Sequence, residues 1–194
     1  RLHVVQYPVR RGELQNLVVI VQGPAPANLE TWDHDANARD LEDALHGTST
    51  ALQHAVHSVE AAGSGWRLWP LADRPPVRSP DDMAQGLVAL LGDAAHPMRP
   101  YLAQGAGMAI EDATQLERAL SMHDLDVPLR LRRYAVNRWQ RNARVQARST
   151  RNGRIFHATG PVRWARDWSL KLLGERVLDV PWLYRGDGGD ASRS

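Results

Sequence analysis

Residues 87–113, LVALLGDAAHPMRPYLAQGAGMAIEDA, constrain the fold of this chain more than any other stretch. Leu87 to Leu91 are uninterrupted apolar residues, the pattern of a strand covered on both faces. The run ends in Gly92-Asp93. That places a carboxylate at the carboxyl end of the strand, where open α/β sheets bind ligands. Asp93 is an acceptor suited to sugar or polyol hydroxyls, and Pro97 and Pro100 stiffen the turn that follows. Gln104, Gly105, Ala106 and Gly107 then open a helix with almost no side-chain bulk. A ligand can therefore approach backbone N–H groups at the positive end of the helix dipole. The combination predicts a site for a flat or polyhydroxylated ligand with developing negative charge. The residues alone do not name that ligand.

The flanking sequence supplies a scaffold. LHVVQYPV and LQNLVVIVQ are β-rich runs joined by RRGE, a hairpin signal with Gly12 in the turn. In the first run His3, Val5 and Tyr7 share a face, because side chains alternate along a strand. From Asp35 to Val59 the spacing of Leu41, Leu45, Leu52 and Val56 is helical, with HGTST dividing the segment in two. A proline-rich stretch follows, with a short edge strand expected before Pro70. A helix is predicted over 105–121, with Ile110, Ala113, Leu116 and Leu120 as its buried stripe. A second is predicted over 128–151 and stopped by Asn152-Gly153, and a third, shorter one begins near Pro161. The tail from Arg185 has a disordered composition.

Composition narrows the possibilities further. The chain has 194 residues and no cysteine, which excludes disulfide and thiolate chemistry. No apolar run reaches the length of a membrane span and no signal peptide is visible, so a cytoplasmic protein is expected. The chain begins with Arg1 inside a predicted strand, which suggests a piece of something longer. Charge is divided: residues 1–122 carry 9 basic and 15 acidic side chains, and residues 123–194 carry 15 and 7.

The segment GDAAHPMRPYLAQGAGMAIEDA resembles the second flavin-binding motif of the class A flavoprotein aromatic hydroxylases. The wider similarity is to the salicylate hydroxylase and 3-hydroxybenzoate 6-hydroxylase branch. HVVQYPVRRGELQNLVVIV is similar to its substrate-domain hairpin, and LRRYAVNRWQRNARVQARSTRNGRIFH with GPVRWARD to its C-terminal helices. The resemblance implies a two-domain enzyme that binds FAD and uses NADH or NADPH as reductant and molecular oxygen as co-substrate. Reduced flavin would give a C4a-hydroperoxide that hydroxylates a small phenolic aromatic. Carried over by motif, the cofactor-binding candidates are Gly92, Asp93, Pro100, Gln104, Gly105, Ala106 and Gly107. Asp93 would bind the ribityl chain, and the backbone at 105–107 would face the pyrimidine edge of the isoalloxazine. Reduction places negative charge there, which a helix N-terminus stabilises. Pro100 and Tyr101 would lie between flavin and substrate, with Tyr7 a further substrate-side candidate. His3 is the catalytic candidate: a neutral imidazole can orient the phenol or take its proton.

The G-x-G-x-x-G fingerprint after a first strand is absent, as is the acidic residue that should follow it. The expectation is therefore an α/β chain forming the C-terminal half of such an enzyme. Residues 1–85 would be part of the antiparallel substrate-domain sheet. Residues 86–122 would add a strand and helix to a Rossmann-like FAD domain, and 123–194 a C-terminal helical region. The N-terminal half of the same enzyme is the expected partner, a homodimer is a candidate assembly, and this piece alone is expected to be inactive.

Competing readings attach to several residues. Asp93 is otherwise a turn cap, Gly105 and Gly107 otherwise permit helix packing, and His3 is otherwise an ordinary strand residue. His96 reads as structural, fixing a His-Pro turn. Glu111 and Asp112 read as exposed or capping. His54 and His57 stand one helical turn apart but lack a carboxylate at a ligand spacing, so no metal is expected. Trp66, Trp69, Trp164 and Trp168 read as core or domain-packing residues. The arginines around Tyr134 and Trp139 raise nucleic-acid binding, but they fall all around the helix. A solvated helix packed against an acidic N-terminal half accounts for them. Within the same superfamily a halogenase, a reductase or a secondary-metabolism oxygenase shares the Gly-Asp motif, and a non-enzymatic remnant would retain the fold alone.

Overall fold

The computed structural model describes residues 2–23, 34–35, 38–61, 65–173 and 181–184. It divides the chain into two compact units, Arg1–Leu71 and Ala72–Ser194. The predicted tail lies outside the described residues.

In the first unit, β1 (Leu2–Val9) and β2 (Leu14–Val21) pair antiparallel in the register Leu2↔Val21 through Val9↔Leu14. The hairpin predicted from alternation is present. Its turn holds Arg10, Arg11 and Gly12 at positive φ. Gly12, at φ 94°, occupies a region that a side chain would strain. A two-residue β3 (His34–Asp35) pairs with β4 (Arg67–Leu68), the edge strand expected before Pro70. The helical segment between them is divided as predicted, into α1 (Ala38–Leu45) and α2 (Thr50–Ala61). Leu45 and Val56 are buried, while His54 and His57 are exposed on α2.

The second unit is organised by two helices. β5 (Ala84–Gln85) and β6 (Val88–Ala89) form a small antiparallel hairpin ahead of α3 (Gly105–Leu120). α4 (Val127–Phe156) follows, then α5 (Gly160–Leu173) and α6 (Pro181–Tyr184). With 30 residues α4 is about 45 Å long. Asp126 caps its start by accepting from the Leu129 N–H at 2.9 Å, and proline stands in the first turn. Arg130 ties the end of α3 to that start, donating to the carbonyls of Leu120, His123 and Leu125. Val77, Met83, Ala95, Ala119, Leu131 and Tyr134 form the main core. Met108 and Val145 form a second cluster that α6 closes through Leu183. The α/β class holds, with every sheet among the described residues two-stranded and antiparallel.

Four expectations are corrected. The Leu87–Leu91 run is not a strand covered on both faces, since Leu87 and Val88 are exposed. Gly86, at φ 56°, turns the chain back so that Val88 and Ala89 pair with Ala84 and Gln85. The buried stripe of α3 is Met108, Asp112 and Ala119, while Ile110, Ala113 and Leu120 are exposed and Leu116 half-buried. α3 meets α4 through Met108 and Ala119 on either side of the Asp112 hydrogen bonds to Arg138 and Asn142, so a carboxylate lies within the inward face. α4 also runs through Asn152-Gly153 to Phe156, because both residues are buried against packed neighbours. Finally, of the two readings given for Trp69, Trp164 and Trp168, core or domain packing, the first is corrected, since all three are exposed. α5 meets α4 through Arg166, which donates to the Ile155 and Phe156 carbonyls.

Candidate functional site

The segment 90–107 is held in place residue by residue. The Leu90 N–H donates to the Met83 carbonyl at 2.8 Å, and its own carbonyl accepts from the Tyr134 hydroxyl at 3.0 Å. Gly92 follows at φ 56°, where a Cβ would stand 3.2 Å from the Ala109 Cβ. It is required twice, by its backbone conformation and by the close approach of α3. Gly92–Ala94 form a single 3-10 turn, closed by the Ala95 and His96 N–H groups on the Gly92 carbonyl. That turn projects Asp93 outward. Its carboxylate is exposed, with Oδ1 4.0 Å from where a Gly105 Cβ would stand.

Pro100–Leu102 make a second 3-10 turn, and Ala103, at φ 51°, redirects the chain into α3. Gln104 occupies the N-cap position without a side-chain cap bond, and no acidic residue stands in the first turn. The first N–H groups of an α-helix have no partner within the helix. Here Gly105, Ala106 and Gly107 carry them with almost no side chain around them. Gln104 Oε1 lies 3.4 Å from where a Gly107 Cβ would stand. The exposed Asp93 carboxylate can accept from hydroxyls, while the N–H groups of the uncapped helix N-terminus beside it can donate to an electron-rich ring edge. These residues fit the ribityl chain and pyrimidine edge of a flavin.

Behind this surface lies a buried ionic hub that sequence reasoning missed. Asp112, fully buried, accepts from four groups. Its Oδ2 takes the Gly92 N–H at 3.1 Å and His96 Nε2 at 2.5 Å; its Oδ1 takes Arg138 Nε at 2.7 Å and Asn142 Nδ2 at 3.0 Å. Arg138, also fully buried, reaches Glu111 at 2.8 Å, and Arg141 grips the same Glu111 carboxylate through both oxygens. Burial pushes the Asp112 carboxyl up. The bonds from His96, Asn142 and Arg138 and the charge of His96 outweigh that and hold it at about 2. Glu111 is also lowered: the Arg141 and Arg138 bonds overcome its partial burial. Asp112 and Glu111 are therefore not exposed or capping, and Arg138 and Arg141 are not solvated. The expected attraction between the acidic and basic halves is present, including Arg132 with Asp81.

His96 is fully buried against Asp112. Its Nε2 is spent on Asp112, and its buried Nδ1 has no partner among the described residues. The available clue to the hub was the Glu111-Asp112 pair facing several arginines. Helical spacing alone does not identify which arginine turns inward.

The predicted site residues fall in both units. Gly92, Asp93, Pro100, Tyr101, Gln104, Gly105, Ala106 and Gly107 lie together in the second unit. His3 and Tyr7 lie on β1 of the first. His3 pairs in register with Ile20, and partial burial lowers its imidazole below the ordinary value. Tyr7 is exposed.

Residues 6–149 match the family described as FAD binding domain. The 3-hydroxybenzoate 6-hydroxylase of Polaromonas naphthalenivorans is 34% identical over 97% of this chain and 45% of its own length. A salicylate hydroxylase solved as a substrate complex superposes with a TM-score of 0.70 at 26% identity, covering 91% of this chain and 44% of that one. Klebsiella pneumoniae HpxO, solved with FAD and uric acid, gives 0.67 at 26% identity over 91% of this chain and 43% of that one. The chain thus spans less than half the length of these relatives. It belongs to the FAD binding domain family.

Proposed function

We propose that this member of the FAD binding domain family forms the flavin-facing C-terminal part of an FAD-dependent monooxygenase that consumes NADH or NADPH and hydroxylates a phenolic aromatic of the hydroxybenzoate or salicylate type. The observation that carries the reading is the first turn of α3. It has no capping side chain and no side-chain bulk, and it opens beside the exposed carboxylate of Asp93. The names of similar proteins, a 3-hydroxybenzoate 6-hydroxylase and a salicylate hydroxylase, support the substrate class.

Flavin, when bound, supplies the transfer of electrons from the nicotinamide to molecular oxygen. The residues of this chain hold and orient it. Asp93 accepts from ribityl hydroxyls, and the N–H groups at 105–107 stabilise negative charge at the ring edge. The Pro100–Tyr101 segment would separate flavin from substrate, and the N-terminal half of the full-length protein would hold the adenine end. His3 orients the phenol and takes its proton; burial favours the neutral imidazole that this requires.

The test is flavin retention by the full-length gene product. Asp93→Ala should weaken FAD binding roughly tenfold to a hundredfold, the worth of one or two charge-assisted hydrogen bonds, while leaving the fold intact. An Asp93→Ala protein with wild-type flavin content and affinity would show that this carboxylate does not hold the cofactor.

A further inference from the structure

The loop that carries Pro100 is fastened to one stripe of α4. Gln146, Ser149 and Gly153 follow one another at spacings of three and four, so they share a helix face. Each meets a successive part of the segment 97–101. Gln146 Nε2 donates to the Pro97 carbonyl at 3.2 Å, and Ser149 Oγ to the Arg99 carbonyl at 2.6 Å. At Gly153 the contact is of another kind. The Tyr101 ring lies so close to the helix backbone that a Cβ on residue 153 would stand 2.5 Å from its Cε2 and 2.8 Å from its Cδ2. The Tyr101 hydroxyl is 2.9 Å from His157 Nε2, and the ring meets Phe156 and His157 edge-on.

Glycine inside a helix is destabilising relative to alanine. A buried glycine in an otherwise continuous helix calls for a compensating contact, and the Tyr101 ring provides it. Two residues separate Tyr101 from Gln104, and one of them is the left-handed Ala103. A displacement of the ring therefore passes through a short, constrained connection into the first turn of α3.

We propose that Gly153 and the Tyr101 ring form a seat that sets the position of the Pro97–Ala103 segment against the flavin and substrate. Tyr101 is thereby a positioning residue whose side chain acts through α4. The proposal rests on the flavin reading given above.

The test uses the full-length flavoprotein and three variants: Gly153→Ala, Tyr101→Ala and the double variant. The readouts are the visible circular dichroism of the bound flavin and the dissociation constant of salicylate, followed through the flavin spectrum. Gly153→Ala should change the dichroism and weaken salicylate binding about tenfold, because the new methyl drives the ring out of its seat. The double variant should be no weaker than Tyr101→Ala alone, since the ring that would collide is gone. Additive losses in the double variant would overturn the seat. Should Gly153→Ala fail to fold, recovery of a folded protein in the double variant supports the seat, and no recovery overturns it. If the wild-type protein takes up no FAD, the flavin reading itself fails and the seat's role with it. If it binds FAD and Gly153→Ala leaves both readouts unchanged, the seat alone fails.

Discussion

Asp112→Ala removes the acceptor on which the Gly92 N–H, His96, Arg138 and Asn142 converge. Holding the carboxyl at about 2, against an ordinary 3.8, favours its ionised form in the folded state by roughly 2–3 kcal/mol, at about 1.36 kcal/mol per pKa unit. The substitution also leaves the fully buried Arg138 with Glu111 as its carboxylate partner among the described residues. Removing one partner of a buried ion pair costs about 3–5 kcal/mol, which is the loss expected here. At about 2–4 °C per kcal/mol, the melting temperature should fall by roughly 6–20 °C. The wild-type and variant proteins are to be compared by guanidinium unfolding and by thermal melts across pH. The folded pKa of Asp112 lies below its unfolded value. Its contribution is therefore complete above the ordinary 3.8 and is lost as pH falls toward about 2. The advantage of wild type over variant should shrink in that window. Asp112→Ala/Arg138→Met should recover part of the loss, because the buried guanidinium is then no longer stranded. A loss below about 1 kcal/mol, with the same acid dependence in both proteins, would refute the hub as a stabilising element.

Gly92→Ala forces an L side chain to φ 56° and into the Ala109 Cβ at 3.2 Å. It should cost about 1–3 kcal/mol in the same unfolding assays and lower flavin retention. On the role proposed for His3, the wild-type kcat/KM profile should show an acid limb below the ordinary imidazole value of 6.5, because burial lowers His3, and His3→Ala should remove that limb. An unchanged profile would remove His3 from the chemistry. Arg130→Met should cost roughly 1–2 kcal/mol and speed hydrogen exchange at the end of α3, since three carbonyls lose their donor.

The parts of the fold legible in the sequence are those dictated by local chemistry. β1 and β2 follow from alternation and a glycine turn, the break between α1 and α2 from HGTST, and the start of α3 from its small residues. The geometry of the candidate site, an exposed Asp93 beside the small-residue start of α3, was legible for the same reason, being one contiguous stretch. What escaped depends on partners distant in sequence. Asp112 is buried because Arg138 stands 26 residues further on, aimed at it from another helix. With that pairing inside, Ile110 faces outward although it is the more apolar residue. Asn152-Gly153 carries a helix-stop signal, yet the helix continues because Tyr101, 52 residues earlier in the chain, occupies the space a side chain would take. Local rules give each residue's preference, and the packed neighbour decides.

The ionic hub also has a thermal consequence. Charged groups are hydrated with a strongly unfavourable entropy, so water holds them less firmly as temperature rises. Withdrawing Asp112, Arg138 and Glu111 from solvent therefore becomes less costly on warming, while the attraction among them stays. Apolar contacts in the adjoining core follow a different curve and weaken on cooling. The joint between α3 and α4 is thus a part of this fold favoured by warmth, and cooling should loosen it together with the Gly92 turn it holds.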